Sequence, residues 1–152
     1  LTASKYSYLG GFVATSNVYA GHLYKIPISG TCAHSFIMSF EDEDDVKDSR
    51  ILHHNGQEID LLEKALEYRQ KLGWNSELRE LYAFVSFGTS YPTTFSSLVD
   101  SYSTKESGIP NFMLVSLALA DLGYKPLSIR LDSGDLAELS KFAKAFFKKT
   151  GE

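Results

Sequence analysis

Apolar residues recur at helical spacing in the later two-thirds of the chain. Leu62, Ala65, Leu66 and Leu72 follow Asp60 and Glu63, with Gly73 directly after, which predicts a helix opened by an acidic cap and closed by a left-handed turn. Ser76 opens a second predicted helix, whose stripe is Leu78, Leu81, Tyr82 and Val85 and whose stop is Tyr91-Pro92. Pro110 takes a first-turn position before Phe112, Leu114, Val115, Leu117, Ala118 and Leu122, and Gly123 closes that helix. Asp135 caps a last one carrying Leu136, Leu139, Phe142, Ala143 and Phe146 before Gly151. Ser97 to Tyr102 and the alternating Leu127-Ser128-Ile129-Arg130-Leu131 read as short strands. Strand, helix, strand, helix at this spacing predicts parallel βα units.

The first fifty residues are less regular. Thr15-Ser16-Asn17 offers caps for a short helix ending near Tyr24. Residues 25–30 read as a brief strand with Ile26 and Ile28 on one face, followed by a turn at Gly30-Thr31, and Ala33 to Phe40 as a buried helical turn or two. Glu41 to Asp45 repels itself and holds almost nothing to bury, so an acidic surface loop is expected around 41–56. Its acids lack the alternation and turn glycine of a calcium loop.

Composition narrows the class. A chain of 152 residues, 43% hydrophobic and 22% charged, suffices for one core and is unlike a disordered sequence. Fifteen Lys and Arg against nineteen Asp and Glu, net charge -4, disfavour a nucleic-acid surface. No stretch approaches the roughly 20 apolar residues of a membrane helix. The single Cys32 excludes an internal disulfide and suits a reducing compartment, so a cytosolic location is expected. The amino end has neither an initiator Met nor a signal-peptide pattern, and the chain reads as part of something larger.

Functional groups in parallel βα architectures collect where strands end. Three places qualify: Gly30 to Ser35, Asp100 to Thr104, and Arg130 with Asp132-Ser133-Gly134-Asp135. The last sets a fixed cation, acceptors and a flexible turn ahead of a helix, able to hold an anion, with Asp132 open to sugar hydroxyls or a bound metal, while an Arg and Asp so placed more often form an ion pair and a helix cap. His34 fits a core histidine as well as a catalytic one. Cys32 reads as a small buried thiol, and His22, His53 and His54 lack ligand spacing and read as surface residues.

Six segments in order resemble nicotinate phosphoribosyltransferase along essentially the whole chain. They are Thr2-Ala3-Ser4 with Tyr6 to Phe12, Thr15 to Val18, Gly30-Thr31-Cys32-Ala33-His34-Ser35-Phe36, Val99-Asp100-Ser101-Tyr102, Ser107 to Phe112, and Ile129 to Leu136. The resemblance implies part of an irregular TIM-like α/β barrel of the type II phosphoribosyltransferase kind, incomplete in this chain, with residues 1–152 as its central portion. It implies transfer of phosphoribose from phosphoribosyl pyrophosphate to nicotinate, giving nicotinate mononucleotide and pyrophosphate in NAD biosynthesis. ATP hydrolysis accompanies this through a phosphohistidine, and magnesium is an expected cofactor.

Matching positions assign His34 as that histidine and Asp100 as its orienting partner. Thr31 and Arg130 match nicotinate-binding positions, Asp132 the aspartate near the ribose, and Ser133 and Gly134 the loop beside it. Ser103 stands where many relatives carry a second aspartate, and no metal ligand is assigned. The family implies a homodimer of the full-length protein, with neither nucleic acid nor membrane as partner. This segment alone is expected to be inactive. The alternatives are nicotinamide phosphoribosyltransferase, which shares the histidine and the Arg-x-Asp-Ser-Gly element, and a non-catalytic interaction module derived from the barrel.

Overall fold

The structure, a computed structural model, describes residues 1–53 and 55–151 in two units, Leu1–Thr31 and Cys32–Glu152. In the first unit lie α1 (Thr2–Leu9) and α2 (Val18–Tyr24). Helix α2 starts as its caps predict, with the Asn17 side chain accepting from the Ala20 N–H at 2.9 Å. Helix α1 has no side-chain cap and buries none of its residues, so the sequence carried no signal for it. The strand predicted over 25–30 does not form. A single parallel bridge joins Thr15 to Ile28, through Thr15 N–H to the Pro27 carbonyl and Ser29 N–H to the Thr15 carbonyl. Pro27 has no N–H to extend that ladder, and Ile26 is buried while Ile28 is exposed.

The second unit begins with α3 (His34–Ile37) and a 3-10 turn at Glu43–Asp45. The solvated loop expected around 41–56 is corrected here. β1 (Arg50–Leu52) pairs antiparallel with β2 (Glu58–Asp60), Ile51 opposite Ile59, and Ile51 is buried. One isoleucine in each three-residue strand anchors a hairpin that the surrounding charge conceals. His54 lies in its connection, outside the described residues.

Three helices build the core. In α4 (Leu61–Leu72), Asp60 Oδ1 accepts from the N–H groups of Leu62 and Glu63, and Gly73 ends the helix at φ 67. The N-cap of α5 (Leu78–Ser90) is Glu77 rather than Ser76, because the Ser76 hydroxyl turns inward and donates to Asn111 at 2.5 Å. Helix α6 (Ile109–Asp121), entered through a π turn at Thr104–Gly108, is buried over most of its circumference between α4 and α5. Gly88 allows α5 and α6 to approach, since a Cβ there would stand 3.1 Å from Val115 Cγ1. Phe95 and Phe112 stack with centroids 5.0 Å apart, and Phe147 of α7 (Leu136–Thr150) packs on Phe112 in a tilted pair at 5.9 Å.

The predicted βα alternation holds, with tighter bounds. β3 (Ser96–Leu98) pairs parallel with β4 (Ser128–Arg130), and α6 supplies the crossover. Among the described residues the strands form two separate two-stranded sheets, mixed α/β structure without a closed barrel.

Candidate functional site

The register of β3 and β4 sets Leu98 opposite Arg130, and the Val99 N–H extends the pairing to the Arg130 carbonyl at 3.2 Å. Asp100 and the loop 132–135 therefore leave the carboxyl end of the parallel pair together. The early end of β3, predicted to run to Tyr102, puts Asp100 in the loop, where its side chain can leave the ladder. Gly134 holds φ 80, a conformation open to glycine, and so turns the loop into the Asp135 cap of α7.

His34, 66 residues before Asp100 in the chain, opens α3 and meets it at 3.2 Å between Nε2 and Oδ1. The Ser133 hydroxyl donates to the other oxygen, Oδ2, at 2.5 Å. The Asp100 side chain is 2% exposed and that of His34 42%, so a shielded carboxylate backs an accessible imidazole. A carboxylate only accepts, so Nε2 carries the shared proton and a neutral ring presents its lone pair at Nδ1. Arg130 grips Asp132 with two parallel bonds of 2.9 Å, Nε to Oδ1 and Nη2 to Oδ2, which fixes the guanidinium plane. His34, Asp100 and Ser133 thus form one hydrogen-bonded chain, and the Arg130–Asp132 fork continues from it through the backbone of the same loop.

Thr31 closes the first unit and is partly buried, so it belongs to a different unit from the other assigned residues. Cys32 is a buried thiol, 3.0 Å from the Ser97 hydroxyl on β3. His22 is exposed, and His53 Nδ1 accepts from the Asn55 N–H at 3.3 Å. Ser103 caps the π turn by accepting from the Glu106 N–H at 3.3 Å. Among the described residues no group of three or more His, Cys, Asp or Glu side chains is placed to hold a metal ion. Among the described residues no helix is long and apolar enough to cross a membrane.

Behind the loop of Asp100 lies a buried acid that sequence reasoning missed. Glu80 on α5 is fully buried, and its Oε2 accepts from the Ser107 hydroxyl and, at 3.2 Å, from the Asn111 amide. Burial pushes its carboxyl up to about 7, against the pull of those two donors, and the Asp100 charge pushes the same way. The sequence signal was an acid inside an apolar stripe, one residue before Leu81 and four before Phe84.

No family model matches the chain. It is 49% identical to nicotinate phosphoribosyltransferase of Dictyostelium discoideum over its whole length, and 47% identical to the Caenorhabditis elegans protein of that name over 98% of its length. The crystal structure of human nicotinic acid phosphoribosyltransferase superimposes on 98% of the chain with a TM-score of 0.82 at 40% identity, the match covering 32% of the human chain. The chain spans 26–30% of the length of the curated relatives it matches.

Proposed function

The chain belongs to the nicotinate phosphoribosyltransferase family, and from that premise we propose that it carries the phosphate-accepting histidine and the base-binding loop of such an enzyme. The reaction is attack of the nicotinate ring nitrogen on the ribose anomeric carbon of phosphoribosyl pyrophosphate as pyrophosphate leaves. That nitrogen already has a lone pair, so the pocket's work is placement and charge stabilisation rather than proton removal. Arg130, its plane held by Asp132, would face the nicotinate carboxylate; Thr31 keeps the nicotinate-binding role that the resemblance gives it. Asp132 would accept from ribose hydroxyls, with Ser133 and Gly134 shaping the loop.

The single observation that carries this reading is the shielded Asp100 behind an accessible His34. For the coupled ATP step, the imidazole lone pair attacks the terminal phosphorus of ATP and the bond to the ADP oxygen breaks. The ring then gains positive charge, which Asp100 stabilises through Nε2–H from a site of low dielectric. Water later takes the phosphoryl group, and orthophosphate leaves. Magnesium would travel with the phosphates of the substrates. The donors here do not form a protein site for it, because Asp100 is engaged by His34 and Ser133 and Asp132 by Arg130.

We place the strand pair and its helices in an α/β barrel completed in the full-length protein, with their carboxyl ends facing the pocket. The expected context is a cytosolic homodimer: the buried free thiol suits a reducing compartment, and the dimer is what the family resemblance implies. The test is a full-length protein containing this segment, supplied with labelled ATP, phosphoribosyl pyrophosphate and nicotinate or nicotinamide. Expected are an acid-labile phosphate lost in His34→Ala, and nicotinate mononucleotide as product. Exclusive use of the amide overturns the substrate assignment. Absence of phosphate on His34, together with absence of any nucleotide product, favours a non-catalytic module.

A further inference from the structure

Ser133 has a role that neither helix capping nor ligand binding accounts for. Helix α7 is already capped by Asp135, which accepts from the Glu138 N–H at 3.0 Å, so the Ser133 hydroxyl is not needed to start it. That hydroxyl has one proton, and the structure spends it on Asp100 Oδ2 at 2.5 Å, the length of a charge-assisted O–H···O bond. Toward a ligand it is left able only to accept. The other oxygen of Asp100 is the one that meets His34.

A carboxylate held at one oxygen turns about its Cβ–Cγ bond, a torsion with broad, soft wells. Held at both, it keeps one plane, and the imidazole it orients keeps one direction. The second hold comes from the loop that also carries Asp132, the partner of Arg130. Gly134 fixes how that loop presents Ser133: it holds φ 80, and a Cβ there would stand 3.2 Å from Leu139 Cδ1.

We propose that Ser133 is a positioning residue: through Asp100 it locks the orientation of His34, and so makes the readiness of the histidine depend on the state of the loop that binds the base and ribose. The proposal rests on the reading that His34 accepts phosphate. Its physical content is a relay in which the middle member, 2% exposed, divides its two oxygens between the start of α3 and the loop before α7. A ligand that draws the loop toward Arg130 and Asp132 acts on the Ser133 bond, and thereby on the plane of the carboxylate behind the histidine.

Two measurements on Ser133→Ala and Ser133→Thr test it. The first is imidazole NMR of the full-length protein containing this segment, with 15N-labelled histidine. Wild type and Ser133→Thr are expected to show a hydrogen-bonded, downfield Nε2 proton on His34, and Ser133→Ala to lose it with the remaining spectrum retained. An unchanged resonance in Ser133→Ala, or none in the wild type, overturns the proposal. The second is the rate of labelled phosphate transfer to His34 in the full-length protein. Ser133→Ala is expected to slow it about tenfold while the nicotinate KM stays within about twofold, and Ser133→Thr to recover most of the rate. A raised nicotinate KM with an unchanged transfer rate would make Ser133 a direct ligand and overturn the relay. If the parent protein takes no phosphate, the ATP-coupled reading fails, and the NMR result alone then judges whether Ser133 orients His34.

Discussion

Gly108 presses its α-carbon against the backbone of Val99, the residue that links the end of β3 to Asp100. A Cβ at 108 would fall inside contact distance of the Val99 carbonyl oxygen, carbonyl carbon and Cα at once. Backbone on that scale cannot move aside as a flexible side-chain tip can. The π turn at Thr104–Gly108 brings the glycine there, with the Gly108 N–H donating to the Ser103 carbonyl at 3.0 Å. The loop of Asp100 is thus clamped from the α6 side by the absence of a side chain.

Gly108→Ala is therefore expected to destabilise the fold by about 1–3 kcal/mol, the range for overpacking a close-packed interior. Urea unfolding measures this, and a loss below about 0.5 kcal/mol contradicts the close approach. The same variant should disturb the His34 imidazole resonances, since the Val99 backbone can yield only by carrying Asp100 with it.

Glu80 makes stability depend on pH. Its folded value, about 7, lies above the ordinary 4.5, so the folded state holds the proton more tightly than the unfolded chain does. The contribution of Glu80 is fully present below about pH 4.5 and is lost as pH rises through about 7, where the buried carboxyl must ionise. The loss totals about 3 kcal/mol from a shift of this order. Glu80→Gln keeps an acceptor for Ser107 and Asn111 and removes the charge. It should flatten the fall in unfolding free energy between about pH 4.5 and about pH 7, and an equally steep fall in the variant assigns the effect to another group.

What the sequence made legible was whatever is written locally. Asp60 and Gly73 bound α4, Pro110 starts α6 and Asp135 starts α7 through single residues whose backbone preferences act within one turn. The hairpin of β1 and β2 was not legible, because three-residue strands give no period and their two isoleucines stand among charges. The predicted strand at residues 25–30 failed for a complementary reason: its alternation was present, but Pro27 leaves it a single bridge. His34 and Asp100 each lie at a predicted element end, and the parallel topology then makes them neighbours. Glu80 was hidden, since its burial comes from packing of α5 against α6 rather than from any property of its own neighbours in sequence.

Asp60→Ala tests the cap of α4. One oxygen, Oδ1, accepts from the Ser49 hydroxyl at 2.8 Å as well as from the N–H groups of Leu62 and Glu63. Removing it leaves two helix donors without their acceptor at the point where β2 turns into α4. A cost of about 1–2 kcal/mol is expected in urea unfolding, and Asp60→Asn should recover most of it because the amide oxygen keeps the geometry. No difference between Ala and Asn would assign the loss to the β1–β2 hairpin instead.

Asp100→Asn separates charge from shape. The amide oxygen can still accept from His34 Nε2–H, and the Ser133 hydroxyl can reverse to accept from the amide, so both contacts survive with their charge removed. Two consequences follow from the same deletion. The imidazole loses the anion that would stabilise its phosphorylated form, so phosphate transfer to His34 in a full-length protein should fall by about 10² to 10⁴. The Glu80 carboxyl loses a repelling neighbour, so its ionisation becomes less costly and the pH at which stability declines should move downward. That second effect carries its own sign: the folded value of Glu80 moves down toward 4.5, the gap to the unfolded value narrows, and the total stability lost on raising pH becomes smaller. A pH titration of unfolding free energy in Asp100→Asn measures this without any turnover, and a profile unchanged from wild type means that the two carboxyls do not sense each other.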